Sequence, residues 1–293
     1  MQGITLFTPT YNRANELLRC YNSIVSQSYE ILEWIIIDDG STDNTKDVIE
    51  KIIEENKLDI GYYFQENSGK QAAWNKAVDL AKYDLFIGVD SDDALNKNAL
   101  TKIQELFTTL NNEENIAGIR AISVNSNTYL PDSIFLIDRV TVASWFDEFC
   151  SGKSGERIDL FKTGILKENK YPVSNSVKFV PEIWLYSHLS LNYKFIYTPK
   201  VVGVFYTNNL ENRLSKSPLS DHTMGHFLAR KKLLESMPLR KWIRNPIKFL
   251  KTIIRLNQVV RILNLNSVEF SKKMIIIFLL PALLLNLLSK KND

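Results

Sequence analysis

Strand-like and helix-like patterns alternate four times along the first third of the chain. Short apolar runs, of the kind that form strands buried on both faces, occupy residues 4–8, 34–37, 60–64 and 85–89. After each of them, apolar residues recur every three or four positions, which predicts a helix. Such alternation is typical of an α/β fold, here a Rossmann-like, mostly parallel sheet with helices on both faces.

The fourth apolar run ends in three closely spaced carboxylates, Asp90, Asp92 and Asp93. Carboxylates at this spacing repel one another unless a positive charge lies between them. A divalent cation is the usual partner, because carboxylate oxygens are its natural ligands. In open α/β sheets, ligands bind at the carboxyl ends of the strands, where this cluster falls. The alternative is a solvated acidic turn that caps a helix beginning near Leu95.

Polar side chains also follow the other three predicted strands: Tyr11 and Arg13, then Asp38 and Asp39, then Lys70. Because the carboxyl ends of parallel strands share one edge of a sheet, these loops predict one composite site. Each residue also has a structural alternative, such as a ring packed on the first helix for Tyr11. For Asp38 it is a carboxylate bonded to turn amides, and for Lys70 a solvated lysine at a helix start. No Gly-x-Gly-x-x-Gly or Gly-Lys-Ser/Thr loop occurs, so the dinucleotide-binding and P-loop classes lack their markers.

Four motifs in the first 110 residues together carry a resemblance to a known family. They are Thr8-Pro9-Thr10-Tyr11-Asn12-Arg13, Ile37-Asp38-Asp39-Gly40-Ser41-Thr42-Asp43, Asn67-Ser68-Gly69 with Asn75, and Asp90-Ser91-Asp92-Asp93. In this order and at this spacing they resemble the family 2 glycosyltransferases of the GT-A fold. One departure is Trp74, at a position where the family often has arginine.

The resemblance implies a nucleotide-diphosphate sugar as donor, most often a UDP-sugar. Residues that match the family's motifs are expected to bind it: Pro9 and Tyr11 line the base, and Asp39 accepts a hydrogen bond from the uracil N–H. The further donor-binding candidates are Arg13, Lys70, Asn75 and Ser91.

The resemblance also implies Mn²⁺ or Mg²⁺ as cofactor, because a leaving diphosphate needs its charge neutralised. Asp92 is expected to bind this metal, and Asp90 to hold the ribose or the water shell of the metal. Asp93 either shares the metal or caps the following helix.

The second half of the chain resembles the family in one segment, residues 179–184. Its acidic residue, Glu182, is expected to act as the catalytic base at a helix start, directly after Pro181. A single base opposite the leaving diphosphate implies inversion at the anomeric carbon. The alternative is that Glu182 only complements the helix dipole, which contributes less than about 1 kcal/mol.

Charge is unevenly distributed along the chain. Residues 221–293 hold 14 Lys+Arg and 4 Asp+Glu, a net charge of +10, whereas the first 220 residues hold 22 and 29, a net charge of −7. A basic tail on an acidic body favours contact with something anionic. A predicted helix from Asn245 and Pro246 carries an apolar row beside a basic row, which suits a membrane surface or docking on the sheet domain.

Residues 274–288 contain one polar side chain, Asn286, and lysines flank both ends of the run. As a helix the run would measure about 22 Å, less than the roughly 30 Å of a hydrocarbon core. We predict an in-plane or shallow re-entrant membrane anchor, with a dimer interface as the competing explanation. The two cysteines form no disulfide framework and no leader precedes the first strand, so we expect a reducing compartment and no signal peptide.

Together these patterns predict a catalytic domain over residues 1–220, with a nucleotide-sugar half (1–110) and an acceptor half (111–220), and a helical basic tail over 221–293. The expected activity is metal-dependent, inverting transfer of a sugar to a saccharide or lipid-linked saccharide, peripherally at the cytoplasmic face of the cell membrane. No nucleic acid is expected as a partner, and a homo-oligomer stays open. The alternatives are a sugar nucleotidyltransferase, which would show a Gly-rich basic loop after the first strand, and a catalytically silent membrane-bound scaffold of a polysaccharide assembly system.

Overall fold

The protein is described here by a computed structural model that covers residues 3–110, 115–207 and 218–264. Within these ranges the strands are β1 (Ile4–Thr10), β2 (Leu32–Asp38), β3 (Asp59–Phe64), β4 (Leu85–Gly88), β5 (Ala94–Leu95), β6 (Ile116–Asn125), β7 (Thr141–Ala143), β8 (Arg157–Lys162) and β9 (Lys194–Phe205). The helices are α1 (Ala14–Val25), α2 (Thr45–Glu54), α3 (Lys70–Leu80), α4 (Ala99–Leu110), α5 (Trp145–Ser151), α6 (Thr163–Glu168), α7 (Ile183–Leu189), α8 (Thr223–Ser236), α9 (Leu239–Arg244) and α10 (Pro246–Ile262).

The first four strands form the parallel half of one sheet. Strand β1 pairs in parallel with β2 and β4, and β2 pairs in parallel with β3, which gives the order β3-β2-β1-β4. Thr10 at the end of β1 lies opposite Asp38 at the end of β2. The loops after these strands therefore meet at one edge, as the alternation of strand and helix predicted.

The second half of the sheet is mixed, whereas the first four strands are all parallel. Strand β8 runs antiparallel to both β4 and β6, whereas β6 is parallel to β9. Strands β5 and β7 add antiparallel pairs to β9. The helix expected near Leu95 begins only at Ala99, because Ala94 and Leu95 pair with Val204 and Gly203 of β9.

Two hydrophobic cores lie on opposite faces of this sheet, because successive strand residues point to opposite sides. Ile4 and Leu6 of β1 pack into one core with residues of α1, α2 and α4. Phe7 packs into the other core with residues of α3, α7, α8 and α10. The expected helices on both faces are thereby confirmed.

The described part of the basic tail is built into the second core. Helices α8, α9 and α10 contribute Phe227, Leu233, Trp242, Phe249 and Leu256 to the cluster that contains Phe7. The boundary at residue 221 stays a prediction, and the apolar run 274–288 lies outside the described residues. Over the described ranges, every helix is too short or too polar to span a bilayer.

Candidate functional site

Three carboxylates lie together at the carboxyl end of β4. Asp90, Asp92 and Asp93 follow the strand in a tight turn, in which the Asp93 N–H donates to the Asp90 carbonyl at 3.0 Å. Each residue places a carboxylate oxygen within 4.8 Å of the other two. No other His, Cys, Asp or Glu group in the described ranges comes together in this way. Oxygen atoms at this spacing fit a hard divalent cation.

The crowding of these carboxylates has an electrostatic cost. Desolvation raises the pKa of Asp93 to about 8, and the negative charges of Asp90 and Asp92 act in the same direction. The guanidinium of Arg13 lies 3.6 Å from Asp92 and offsets part of this charge. A divalent cation between the three carboxylates would remove the remaining repulsion, so the donor set fits Mn²⁺ or Mg²⁺.

Lys70 joins the carboxylate cluster to Glu182. Its ammonium lies 2.8 Å from Asp90 and 3.4 Å from Glu182, and it belongs to the first turn of α3. Desolvation opposes its charge, but the attraction of Asp90 and Glu182 outweighs this and raises the pKa of Lys70 well above its ordinary value. Lys70 is thus held between two carboxylates and is not the solvated lysine of the alternative explanation.

Glu182 stands at the start of α7, directly after Pro181, as the sequence predicted. Its side chain makes no capping hydrogen bond to the helix. Instead the carboxylate is 56% exposed and reaches toward Lys70. A carboxylate that is accessible, and not used by the helix terminus, is available to take a proton from a bound hydroxyl.

Asp38 and Asp39, at the end of β2, accept hydrogen bonds from the loops that follow β2 and β3. Asp38 accepts hydrogen bonds from the Ser41 N–H at 2.8 Å and the Tyr62 hydroxyl at 3.2 Å. Asp39 accepts from Gln65 Nε2 at 2.7 Å and from the amides of Ser68 and Gly69, at 2.7 and 2.8 Å. A carboxylate can accept about four hydrogen bonds. Asp39 already accepts three, so about one position remains for the predicted bond from the uracil N–H.

The loop after β1 packs against the loop after β2. The Asn12 side chain accepts from the Thr42 N–H at 2.8 Å, and the Asn12 N–H donates to the Ser41 hydroxyl at 2.9 Å. Tyr11 is 41% exposed, so part of its side chain is open to a stacking partner. Pro9 lies beside it at the end of β1. Their predicted contact with a base is compatible with this placement.

Three further residues of the motifs serve the fold directly. The Asn75 side-chain amide forms two hydrogen bonds with the Tyr171 backbone, at 2.9 and 3.0 Å, so both its polar atoms are already paired. Trp74 packs edge-on against Phe86, with ring centroids 5.1 Å apart. Ser91 is buried within the carboxylate turn. Asn75 therefore ties α3 to the segment before α7, and its donor contact stays a prediction.

The sequence-based prediction missed Glu156, on the loop before β8. Because β8 runs antiparallel to β4, its first residues lie beside the end of β4. Glu156 remains accessible to solvent, yet the pKa of its carboxyl is raised to about 7, first by desolvation and then by the charges of Glu182 and Asp90. The sequence carries no signal for this position, since it depends on an antiparallel register.

Arg19 of α1 was also missed. Its guanidinium donates to the Asp92 carbonyl and lies 3.6 Å from the centre of the Tyr206 ring. The Tyr206 N–H in turn donates to Asp93 at 3.3 Å. Arg19 thus fixes the backbone of the carboxylate turn against the end of β9, and these contacts span distant parts of the sequence.

A buried polar network lies beneath α7, one turn after Glu182. The Tyr186 hydroxyl donates to Asp159, and the Arg120 guanidinium lies 4.1 Å from the centre of the Tyr186 ring. Arg120 also lies 3.3 Å from Glu148 and 3.5 Å from Asp159. The network therefore fixes the helix that carries Glu182.

Comparison of the sequence with known proteins identifies a family and several relatives. The family model described as glycosyl transferase family 2 matches residues 5–166, more than half of the chain. An uncharacterised glycosyltransferase of Nostoc is 36% identical over 106 residues, which is 36% of this chain and 33% of the relative. The poly-beta-1,6-N-acetyl-D-glucosamine synthase of Staphylococcus aureus is 36% identical over 99 residues, 34% of this chain and 24% of that protein. The match thus spans a third or less of these curated relatives.

Solved structures are similar over most of the chain. Staphylococcus aureus TarS 1–349 in complex with UDP-GlcNAc superposes with a TM-score of 0.66 at 18% identity, covering 89% of this chain and 72% of that 1–349 chain. The mannosyltransferase PcManGT of Pyrobaculum calidifontis, in complex with GDP-Man and Mn²⁺, gives a TM-score of 0.55 at 15% identity, covering 97% and 81%. These likenesses confirm the GT-A fold expected from the motifs. With the family model matched over residues 5–166, the chain belongs to glycosyl transferase family 2.

Proposed function

We propose that the protein is an inverting, metal-dependent glycosyltransferase that moves a sugar from a nucleotide-diphosphate donor to a saccharide acceptor. The observation that carries this proposal is the position of Lys70, which touches Asp90 of the carboxylate cluster and Glu182 at once. The two groups that sugar transfer needs, a diphosphate-binding metal site and a base, therefore lie side by side. We call this site the cleft, and its central residues are Lys70, Asp90, Asp92, Asp93 and Glu182.

In the proposed reaction, Glu182 accepts the proton of an acceptor hydroxyl. The hydroxyl oxygen forms a bond to the anomeric carbon of the donor sugar, while the bond from that carbon to the diphosphate oxygen breaks. The nucleoside diphosphate leaves with the bonding electrons on the opposite face, so the configuration at the carbon inverts.

Asp92, with Asp90 and Asp93, would hold the divalent cation. When bound, the cation neutralises the charge that develops on the leaving diphosphate. The fit rests on the donor set, which is three carboxylates that place oxygen atoms within 4.8 Å of one another. The Mn²⁺ complex of the mannosyltransferase neighbour supports the same ion class.

We propose a UDP-sugar as donor, with Pro9, Tyr11 and Asp39 around the base. The exposed ring of Tyr11 and the remaining acceptor position of Asp39 support this assignment. The TarS complex contains UDP-GlcNAc, whereas the mannosyltransferase complex contains GDP-Man. Arg13 and Lys70 add positive charge beside the expected position of the diphosphate.

The acceptor is proposed to be a growing saccharide, free or lipid-linked, bound on the side of Glu182 and Glu156. A polysaccharide synthase among the relatives supports this class of acceptor. A peripheral location at the cytoplasmic face of the membrane would bring the enzyme to a lipid-linked acceptor.

The test is a thermal-shift series with UDP, GDP, CDP and ADP, each with and without Mn²⁺, followed by turnover of the matching nucleotide sugars. A ligand at about a hundredfold its dissociation constant adds about 2.7 kcal/mol, which corresponds to roughly 5 °C for a chain of this size. We expect this shift with UDP and Mn²⁺ together, and its loss in Asp92→Ala.

Asp79→Ala is the matched control, because Asp79 is 56% exposed and pairs only with Lys170 on the described surface. The control should keep the full shift. A shift with GDP and with no other nucleotide would identify a GDP-sugar as the donor and leave the proposed reaction class unchanged. No shift with any nucleotide, or a shift unchanged in Asp92→Ala, would overturn the proposal in favour of a silent scaffold.

A further inference from the structure

Helices α9 and α10 have two apolar faces, of which only one belongs to the core. The inner face carries Trp242, Phe249, Ile253, Leu256 and Val259, all buried in the core below the sheet. This face explains why the helices dock on the domain, as one of the sequence-based alternatives predicted. The opposite face of the two helices does not contribute to this core.

The outer face of α9 and α10 is also apolar, although it is exposed. Its apolar residues, which we call the outer row, are Leu239, Ile243, Ile247, Leu250, Ile254 and Ile262. Ile243 is 61% exposed and Ile247 is 71% exposed. Residues 247, 250 and 254 share a helix face by their three- and four-residue spacing. Single exposed apolar residues are ordinary, but a continuous row marks an interaction surface.

The charges that α9 and α10 themselves carry have one sign. Residues 239–264 contain seven Lys and Arg and no Asp or Glu. Lys241 and Lys248 are bonded inward, to Asp147 and to the Phe149 carbonyl. The remaining five are exposed beside the outer row: Arg240, Arg244, Lys251, Arg255 and Arg261.

An apolar row flanked by five exposed basic residues complements an anionic phospholipid surface. Isoleucine and leucine side chains enter the boundary between headgroups and acyl chains, while arginine and lysine reach the headgroup phosphates. Each basic residue close to such a surface adds favourable electrostatic attraction. A protein partner would need a matching acidic groove, whereas an anionic bilayer presents this chemistry everywhere.

The outer face is linked to the candidate cleft through α8. Helix α10 packs on α8, and Gly225 of α8 lies so close to the chain before Glu182 that an added Cβ would stand 1.7 Å from the Phe179 carbonyl. Helix α8 therefore connects α10, which carries part of the outer row, to the segment that leads to Glu182.

We propose that the outer face of α9 and α10 binds an anionic lipid surface, with the two helices lying in the plane of the membrane. The surface comprises the outer row and the five exposed basic residues. This inference does not depend on the proposed reaction. The chain continues from α10 into residues 265–293, outside the described ranges, which add further lysines and the apolar run 274–288.

The experiment is flotation of the full chain with vesicles of phosphatidylcholine alone or mixed with phosphatidylglycerol. We expect binding that grows with the phosphatidylglycerol fraction and falls as salt is raised, since salt screens charges at a surface. Arg244→Glu with Lys251→Glu should lower the partition coefficient by about tenfold or more, because each reversal replaces attraction with repulsion. Ile247→Gln with Ile254→Gln should lower it as well.

Lys46→Glu with Lys51→Glu is the matched control. Both residues are exposed on α2, which packs on the opposite face of the sheet, and the change in net charge is identical. This variant should bind vesicles nearly as the unaltered chain does. Binding that is equal in all variants would assign lipid contact to residues 265–293 and overturn the proposal.

Equal binding to phosphatidylcholine vesicles would also overturn it. A concentration-dependent dimer that is lost in Ile247→Gln with Ile254→Gln, without vesicle binding, would instead identify the outer face as an interface between copies. Melting temperatures of all variants show whether each one folds, and the changed side chains are all exposed.

Discussion

Two groups of ionisable side chains in this protein differ in their balance of acidic and basic residues. The cleft cluster has more acidic than basic side chains: Asp90, Asp92, Asp93, Glu156 and Glu182 against Arg13, Arg19 and Lys70. The buried network beneath α7 is balanced: Arg120 and Arg157 against Glu148 and Asp159. The cleft cluster is partly open to solvent, whereas the buried network is almost fully enclosed.

The network balances its charges within the fold. Arg157 bonds to Glu148 at 3.2 Å, to the Ser133 hydroxyl at 3.0 Å and to the Arg120 carbonyl at 3.1 Å. The Tyr197 hydroxyl donates to Glu148 at 3.0 Å. Nothing further is needed to neutralise it. The cleft cluster, in contrast, has fewer basic than acidic side chains, and this deficit is what a metal ion would correct.

The difference teaches how to separate a binding site from structural support. Charges that are paired and enclosed within a fold hold it in place, and their removal should affect stability first. Unbalanced, half-exposed charges resist folding slightly and favour a ligand of opposite sign, so their removal should affect function first. Variants in the two groups test this division.

The largest expected effect is on stability, from the network. Arg120→Met leaves Asp159 buried without its ion-pair partner and removes one of the two arginines from Glu148, which should lower the free energy of unfolding by about 3–5 kcal/mol. For a chain of this size the melting temperature should fall by roughly 10 °C. Chemical denaturation followed by tryptophan fluorescence measures this change.

A double variant sharpens the prediction. In Arg120→Met with Asp159→Asn, no unpaired carboxylate remains at position 159, and the asparagine oxygen still accepts from Tyr186. The double variant should therefore be more stable than the sum of the single effects, by about 1 kcal/mol or more. Strict additivity would show that the two side chains do not act as a pair.

The second effect is on turnover, from the cleft. Glu182→Gln should lower kcat/KM by about 10² to 10³-fold, because the base is lost while the shape is kept. Its melting temperature should stay within about 1 °C, since the side chain makes no capping bond and is exposed. Glu168→Gln, at another exposed helical glutamate, is the control and should leave both quantities unchanged. Full activity in Glu182→Gln would remove this residue from the mechanism.

The elements that carry the site were predictable where local pattern and sheet topology agree. The alternation of strand and helix before residue 90 requires a parallel sheet, and a parallel sheet brings the loops with Arg13, Asp39 and Lys70 to one edge. The carboxylates after β4 were placed correctly for the same reason. Glu182 was placed at a helix start through its motif and its position after a proline, and its role as base stays a prediction.

The remaining features depend on pairings between distant residues, which no local pattern encodes. Ala94 and Leu95 form a strand instead of a helix start because β9 lies beside them. Asn75 is bonded to Tyr171, nearly a hundred residues later in the chain. Glu156 enters the cleft only through the antiparallel register of β8.

The smallest expected effect is a pH dependence of stability from Glu156. Its pKa is raised from 4.5 to about 7, first by desolvation and then by Glu182 and Asp90. The folded chain therefore binds more protons than the unfolded chain between these values, so stability falls as pH rises through this window. Glu156→Gln should remove that loss and raise the melting temperature at pH 8, while changing it little at pH 5.

Because Glu156 is accessible to solvent, the gain should be on the order of 1 kcal/mol or less after screening, which corresponds to about 2–4 °C. Melting curves at pH 5 and pH 8 for the variant, the unaltered chain and Glu168→Gln measure it. If Glu156→Gln and Glu168→Gln shift in parallel at both pH values, the cleft exerts no excess negative charge on Glu156. The excess of acidic side chains in the cleft would then be confined to the carboxylates after β4 and would not extend to the loop before β8.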